Sequence, residues 1–179
     1  MDTWKTLGTR HCYSDAWVRL RVDDVVRPDG SVGTYSVLEL KGGIGVVAVD
    51  GMGQLLLVGQ HRYPIQAYSW EIPKGAFDSF DGANSPLDTA QRELREETGF
   101  VGGRWSKLGT VHTLLGSTND LVHLFRAHEL VPGSPHPDSM EDLTVCWVSR
   151  AQFWKMVADG RITDATSIAA VSIEERHAE

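Results

Sequence analysis

Along residues 4–40, apolar and polar positions alternate in short runs such as Trp17-Val18-Arg19-Leu20-Arg21-Val22, broken by the turn-forming Arg27-Pro28-Asp29-Gly30. A period of two bounded by turn residues predicts β-hairpins. Residues 44–49 and 55–58 are instead continuously apolar and are separated by Asp50-Gly51-Met52-Gly53, which predicts two central strands. Further on the period becomes helical, with Leu87, Ala90 and Leu94 on one stripe at about 100° per residue. Ser85 is placed as an N-cap, Pro86 suits the first helical position, and Asp88 follows at capping-box spacing. Gly99 tolerates the left-handed conformation that ends many helices, so a helix is predicted over 86–98. Strands follow at 107–113, 121–127 and 143–148, then a helix at 151–159. Val131-Pro132-Gly133-Ser134-Pro135-His136-Pro137 reads as a flexible loop. The order β-rich, α, β-rich, α predicts an α/β fold built as an α/β/α sandwich.

Composition narrows the ligand. A chain of 179 residues supports one full core, with room for a small accessory sheet. A net charge of −7 without any lysine/arginine run argues against a nucleic-acid backbone and for a small ligand. No apolar run approaches the ~20 residues needed to cross a bilayer, and the N-terminus lacks signal-peptide features, so a cytoplasmic protein with no membrane partner is expected. Cys12 and Cys146 are widely spaced singles, read as incidental thiols, and the histidines show no metal-ligand spacing. There is no G-x-S-x-G nucleophile elbow, which removes the sequence support for a serine hydrolase.

Candidate chemistry concentrates in Arg92-Glu93-Leu94-Arg95-Glu96-Glu97-Thr98-Gly99-Phe100. On the predicted helix Glu93, Glu96 and Glu97 share a face adjacent to the apolar stripe. Carboxylates at i, i+3 and i+4 repel one another and need a compensating charge. A hard divalent cation, Mg²⁺ or Mn²⁺, would supply it through oxygen ligands. The competing reading is a solvated charged face on which Arg92 and Arg95 neutralise the glutamates.

Trp70-Glu71-Ile72-Pro73-Lys74-Gly75 upstream, followed by the capped helix, resembles the Nudix box of nucleoside-diphosphate-X hydrolases, G-x5-E-x7-R-E-U-x-E-E-x-G-U with U bulky and apolar. Gly75 and all of Arg92 to Phe100 match. The middle departs: the first box glutamate falls on Asn84, and Gly75 stands three residues too far upstream, which implies an insertion within 76–83. Gln60-His61-Arg62-Tyr63-Pro64, the N-terminal hairpins and the tail Asp159-Gly160-Arg161-Ile162-Thr163-Asp164-Ala165 are similar to ADP-ribose pyrophosphatases and their sugar-nucleotide relatives. The resemblance covers nearly the whole chain. It implies a mixed-sheet Nudix sandwich over 42–179 and a small N-terminal antiparallel sheet over 1–41. In that group the N-terminal sheet forms a swapped homodimer and walls the nucleotide pocket. Trp17 could stack there on a base or serve the hairpin itself.

The implied activity is metal-dependent hydrolysis of a nucleoside diphosphate linked to another group, first ADP-ribose to AMP and ribose 5-phosphate. Other nucleoside diphosphate sugars, or nucleotide sensing without cleavage, are the alternatives. By position, Glu93, Glu96, Glu97 and the Lys74 carbonyl would hold Mg²⁺ or Mn²⁺. Arg62 would contact a phosphate through its guanidinium fork, and Glu71 would bind nucleotide or support the metal site. The Lys74 side chain stands where relatives often have alanine and could touch substrate. The general base falls either on Glu97 or on the acidic loop Asp138-Ser139-Met140-Glu141-Asp142, where Glu141 matches an essential acidic position and Ser139 departs from one. A second departure concerns specificity: in the segment Leu114-Leu115-Gly116-Ser117-Thr118-Asn119-Asp120, Leu115 replaces a proline typical of ADP-ribose hydrolases and Asp120 a glutamate.

Overall fold

The computed structural model describes residues 3–80, 85–133 and 143–177. Strands β1 (Lys5–Ser14), β2 (Arg19–Val26) and β3 (Val32–Glu39) form an antiparallel sheet in that order, as the alternating pattern predicts. Gly30, with φ 82°, closes the predicted turn by donating its N–H to the Arg27 carbonyl at 2.9 Å. Trp17 does not join the strand its pattern suggested. The Asp15 carboxylate accepts the N–H groups of Trp17 at 2.7 Å and Val18 at 2.8 Å, and that local turn displaces the strand start to Arg19.

The second sheet is mixed. It contains β4 (Gly43–Val49), β5 (Leu55–Arg62), β6 (Ala67–Glu71), β7 (Lys74–Ala76), β8 (Phe100–His112), β9 (Leu121–Pro132) and β10 (Thr144–Val148). Its main path runs β10-β5-β4-β9-β8, with β6 against β5 and β7 against β4. β4 is buried along its whole length and lies parallel to β9, which its unbroken apolar run anticipates. Its side chains divide the core. Ile44, Val46 and Ala48 pack with Ala90 and Leu94 of helix α1 (Pro86–Thr98). Val47 and Val49 join Phe153 and Met156 of α2 (Arg150–Ala158) and Ala170 and Val171 of α3 (Ala165–His177). One sheet between two helical layers is the α/β/α sandwich expected.

Several elements extend beyond the sequence pattern. β8 begins at Phe100 rather than near 107, with Gly102 and Gly103 at positive φ inside the strand. β9 carries on through Val131 and Pro132, the start of the stretch read as a loop; 134–137 lie outside the described residues. β6, β7 and α3 had no clear signature. The inward face of α3 includes Thr166, Ser167 and Glu174, so its buried side is not an apolar stripe.

Candidate active site

Helix α1 is specified locally at both ends. Ser85 Oγ accepts the Asp88 N–H at 3.4 Å, Pro86 occupies the first turn, and Gly99, at φ 76°, returns its N–H to the Arg95 carbonyl at 2.9 Å. Ala90 and Leu94 anchor one side in the core. That fixes the rotation of the helix and turns Glu93, Glu96 and Glu97 toward a cavity of about 420 Å³, which Lys74, Gly75 and Arg62 also line. Glu97 is the most enclosed of the three at 7% exposure and accepts the Lys74 backbone N–H at 3.1 Å.

Arg92 and a shared cavity define the surroundings of the acidic helix. Arg92 Nη2 lies 2.9 Å from Glu93 Oε1 and Nη1 lies 2.9 Å from Glu96 Oε2, which is the neutralised face. Yet the same carboxylates converge on one cavity with Lys74 and Gly75, contributed by a strand remote in sequence. Among the described residues no group of three His, Cys, Asp or Glu is gathered into a ready-made metal cage. Arg92 holds two of the glutamates in this arrangement. Gly75 makes their approach possible, because a Cβ there would collide with Glu93 Cδ and Cγ.

Next to the acids lies a second charged group. Arg62 Nε donates to Glu71 Oε1 at 2.9 Å and Nη2 to Oε2 at 2.6 Å, the bidentate geometry that suits a guanidinium. Lys74 Nζ is 3.0 Å from Glu71 Oε2 and 2.7 Å from Asp164 Oδ1. Asp164 was not singled out from the sequence. Its other oxygen accepts the Ser167 N–H at 2.9 Å and O–H at 2.6 Å, and Ser167 Oγ accepts the Ile72 N–H at 3.0 Å. An aspartate directly ahead of Ala165 stands at an N-cap position, the one signal that could have located α3 and this residue together.

Glu71 is 3% exposed on its side chain, so burial pushes its carboxyl up. The Arg62 hydrogen bonds and the Lys74 charge and hydrogen bond override that and bring it down from 4.5 to about 2. A folded-state value below the unfolded one means that the unfolded chain takes the proton first. The resulting stabilisation, at most about 3 kcal/mol, is complete above pH 4.5 and is lost as the pH falls toward about 2. The stability gap between the protein and a Glu71→Gln variant should therefore narrow over that window in urea titrations. A gap independent of pH would show that the carboxylate is not held this way.

Other predicted positions are distributed around these groups. Trp17, 70% exposed, lines the acidic cavity, with Lys41 Nζ 5.2 Å from its ring centroid. The 114–120 segment is tied to the N-terminal sheet: Leu38 N–H donates to the Ser117 carbonyl at 2.9 Å and Tyr35 Oη to the Gly116 carbonyl at 2.7 Å. Leu115 points to solvent, while Asp120 accepts from Thr113 Oγ1 at 2.7 Å and lines a neighbouring cavity of about 350 Å³. Asn84, Ser139 and the candidate base Glu141 lie outside the described residues. Cys12 and Cys146 are free thiols. Among the described residues no helix is long and apolar enough to cross a membrane.

The chain is similar to known proteins over most of its length. The NUDIX domain family model matches residues 39–171, and that of the nucleoside diphosphate sugar hydrolase N-terminal domain matches residues 4–38. The chain is 32% identical over 170 residues to an ADP-ribose pyrophosphatase of Mycobacterium tuberculosis, covering 94% of this chain and 81% of that protein. It is 30% identical over 169 residues to an ADP-ribose pyrophosphatase of Bacillus subtilis, covering 93% and 90%. A crystal structure of an ADP compounds hydrolase shares the fold with a TM-score of 0.84 at 18% identity, covering 97% of this chain and 93% of that one.

Proposed function

This chain belongs to the NUDIX family of pyrophosphohydrolases, and from that membership we propose that it cleaves the pyrophosphate bond of a nucleoside diphosphate sugar, with ADP-ribose, giving AMP and ribose 5-phosphate, as its first substrate. The observation that carries the reading is the convergence of Glu93, Glu96 and Glu97 on one cavity beside the cationic pair Arg62 and Lys74.

Hydrolases of this family generally use a divalent metal. The oxygen-only donor set of the three carboxylates and the Lys74 carbonyl suits Mg²⁺, with Mn²⁺ as the alternative. Held by these residues, such a cation would supply acidification of the attacking water and neutralisation of charge on the departing phosphate. The chain's own groups supply the rest. Arg62, held by Glu71, offers its guanidinium to phosphate oxygens, and Glu71 acts by orienting it. The water oxygen bonds to one phosphorus, the bridging P–O bond breaks with its electron pair on the leaving phosphate, and the water's proton passes to a carboxylate. Glu97 is the base we favour, being the most enclosed acid of the cavity; Glu141 is the other candidate.

The N-terminal sheet, residues 1–41, is proposed as pocket wall and homodimer contact beside a hydrolase domain over 42–179. The side chains of β1, including Leu7 and Tyr13, are exposed along its length, as is Trp4 just ahead of it, which suits burial against a second copy. A monomer in sedimentation equilibrium would remove that part.

The test of the activity is a panel of ADP-ribose, other nucleoside diphosphate sugars and dinucleotides with Mg²⁺. Release of AMP from ADP-ribose is expected. Binding without cleavage across the whole panel would convert the reading to a nucleotide sensor.

A further inference from the structure

Resting on the hydrolase reading above, we propose that the Lys74 ammonium is a movable anion anchor, which exchanges its Asp164 partner for a phosphoryl oxygen of the nucleoside diphosphate. Lys74 and Arg62 together line three adjoining cavities of about 350, 420 and 320 Å³, one of them the acidic cavity. The two cations are held differently. Arg62 gives two donors to a nearly fully buried carboxylate and is thereby fixed.

Lys74 can leave Asp164 without disturbing the other contacts of either partner. Each Glu71 oxygen already accepts a hydrogen bond from Arg62. Asp164 meets the lysine through Oδ1, whereas its cap on α3, the Ser167 N–H and O–H, uses Oδ2. Release of the ammonium therefore keeps both the guanidinium fork and the helix start. The lysine side chain is 24% exposed, and a flexible stem carrying a compact charge can follow a phosphate where a planar fork cannot. Asp164 thus competes with the substrate for the same cation.

Competition predicts effects of opposite sign. Calorimetric binding of the non-hydrolysable α,β-methylene analogue of ADP-ribose with Mg²⁺ should show Kd weakened about tenfold in Lys74→Met and tightened about threefold in Asp164→Asn. Asparagine keeps an acceptor for Ser167, and thermal melts of each variant confirm the fold. The double variant should bind like Lys74→Met alone, since the gain from Asp164→Asn requires the lysine. Unchanged binding in Lys74→Met overturns the anchor, as does weakening by both substitutions, the mark of a purely structural ion pair. A gain that persists in the double variant also overturns it, as general field relief. Wild-type protein that neither binds the analogue nor cleaves the panel sinks the hydrolase reading along with the anchor. Wild-type cleavage with full binding by Lys74→Met sinks the anchor alone.

Discussion

Glu97→Gln should lower turnover on the order of 10³-fold while leaving the protein folded. Glu97 lies in the last turn of α1, where the register set by Ala90 and Leu94 buries it to 7% exposure at the acidic cavity. Glutamine has the same length and keeps an oxygen for the Lys74 N–H, now accepted by the glutamate at 3.1 Å, so the helix-to-strand contact survives. What disappears is a negative charge and a proton acceptor. The substitution thus separates chemistry from scaffold. Steady-state kinetics on the best panel substrate, with a thermal melt of the variant, checks both halves. Turnover within a few-fold of the native rate would exclude Glu97 as base and as essential metal ligand.

The acidic helix was legible because its signals are local. Ser85, Pro86 and Gly99 set its ends, and Leu87, Ala90 and Leu94 set its rotation, so the direction of the glutamates followed from spacing alone. β4 and the first half of β5, residues 55–58, were legible because strand segments buried on both faces are apolar throughout. What the pattern missed depends on partners far along the chain. Asp164 meets Lys74 across ninety positions, and no local feature of either residue announces the other. The polar inner face of α3 is tolerable because Ser167 and Glu174 find partners in Ile72, Arg126 and Arg150, contacts that exist only after folding. Trp17 shows the converse: its place in an alternating run suggested a strand, and the single carboxylate of Asp15 drew it into a turn at the rim of the cavity.

Gly75→Ala should cost about 10²-fold in activity with little loss of stability, since misplacing a reacting group by an ångström has effects of that order. Gly75 is paired with Ile44 in β7 and is not among the glycines of positive φ, so its backbone accepts alanine without strain. The obstacle is the Glu93 side chain, whose Cδ and Cγ occupy the space a methyl group would take. A carboxylate at the end of a flexible side chain can swing away, so the fold survives and the acid cluster does not. Gly43 provides the contrast, because a Cβ there meets the Gly75 carbonyl and the Ala76 Cα, the latter at 3.2 Å. Backbone cannot swing aside, and Gly43→Ala should lose about 1–3 kcal/mol of stability. Denaturant titration of both variants beside their kinetics decides the matter. A Gly75→Ala protein with native turnover would mean that the place of Glu93 against β7 has no part in the reaction, whereas a large loss of stability would make the glycine a packing requirement of the strand.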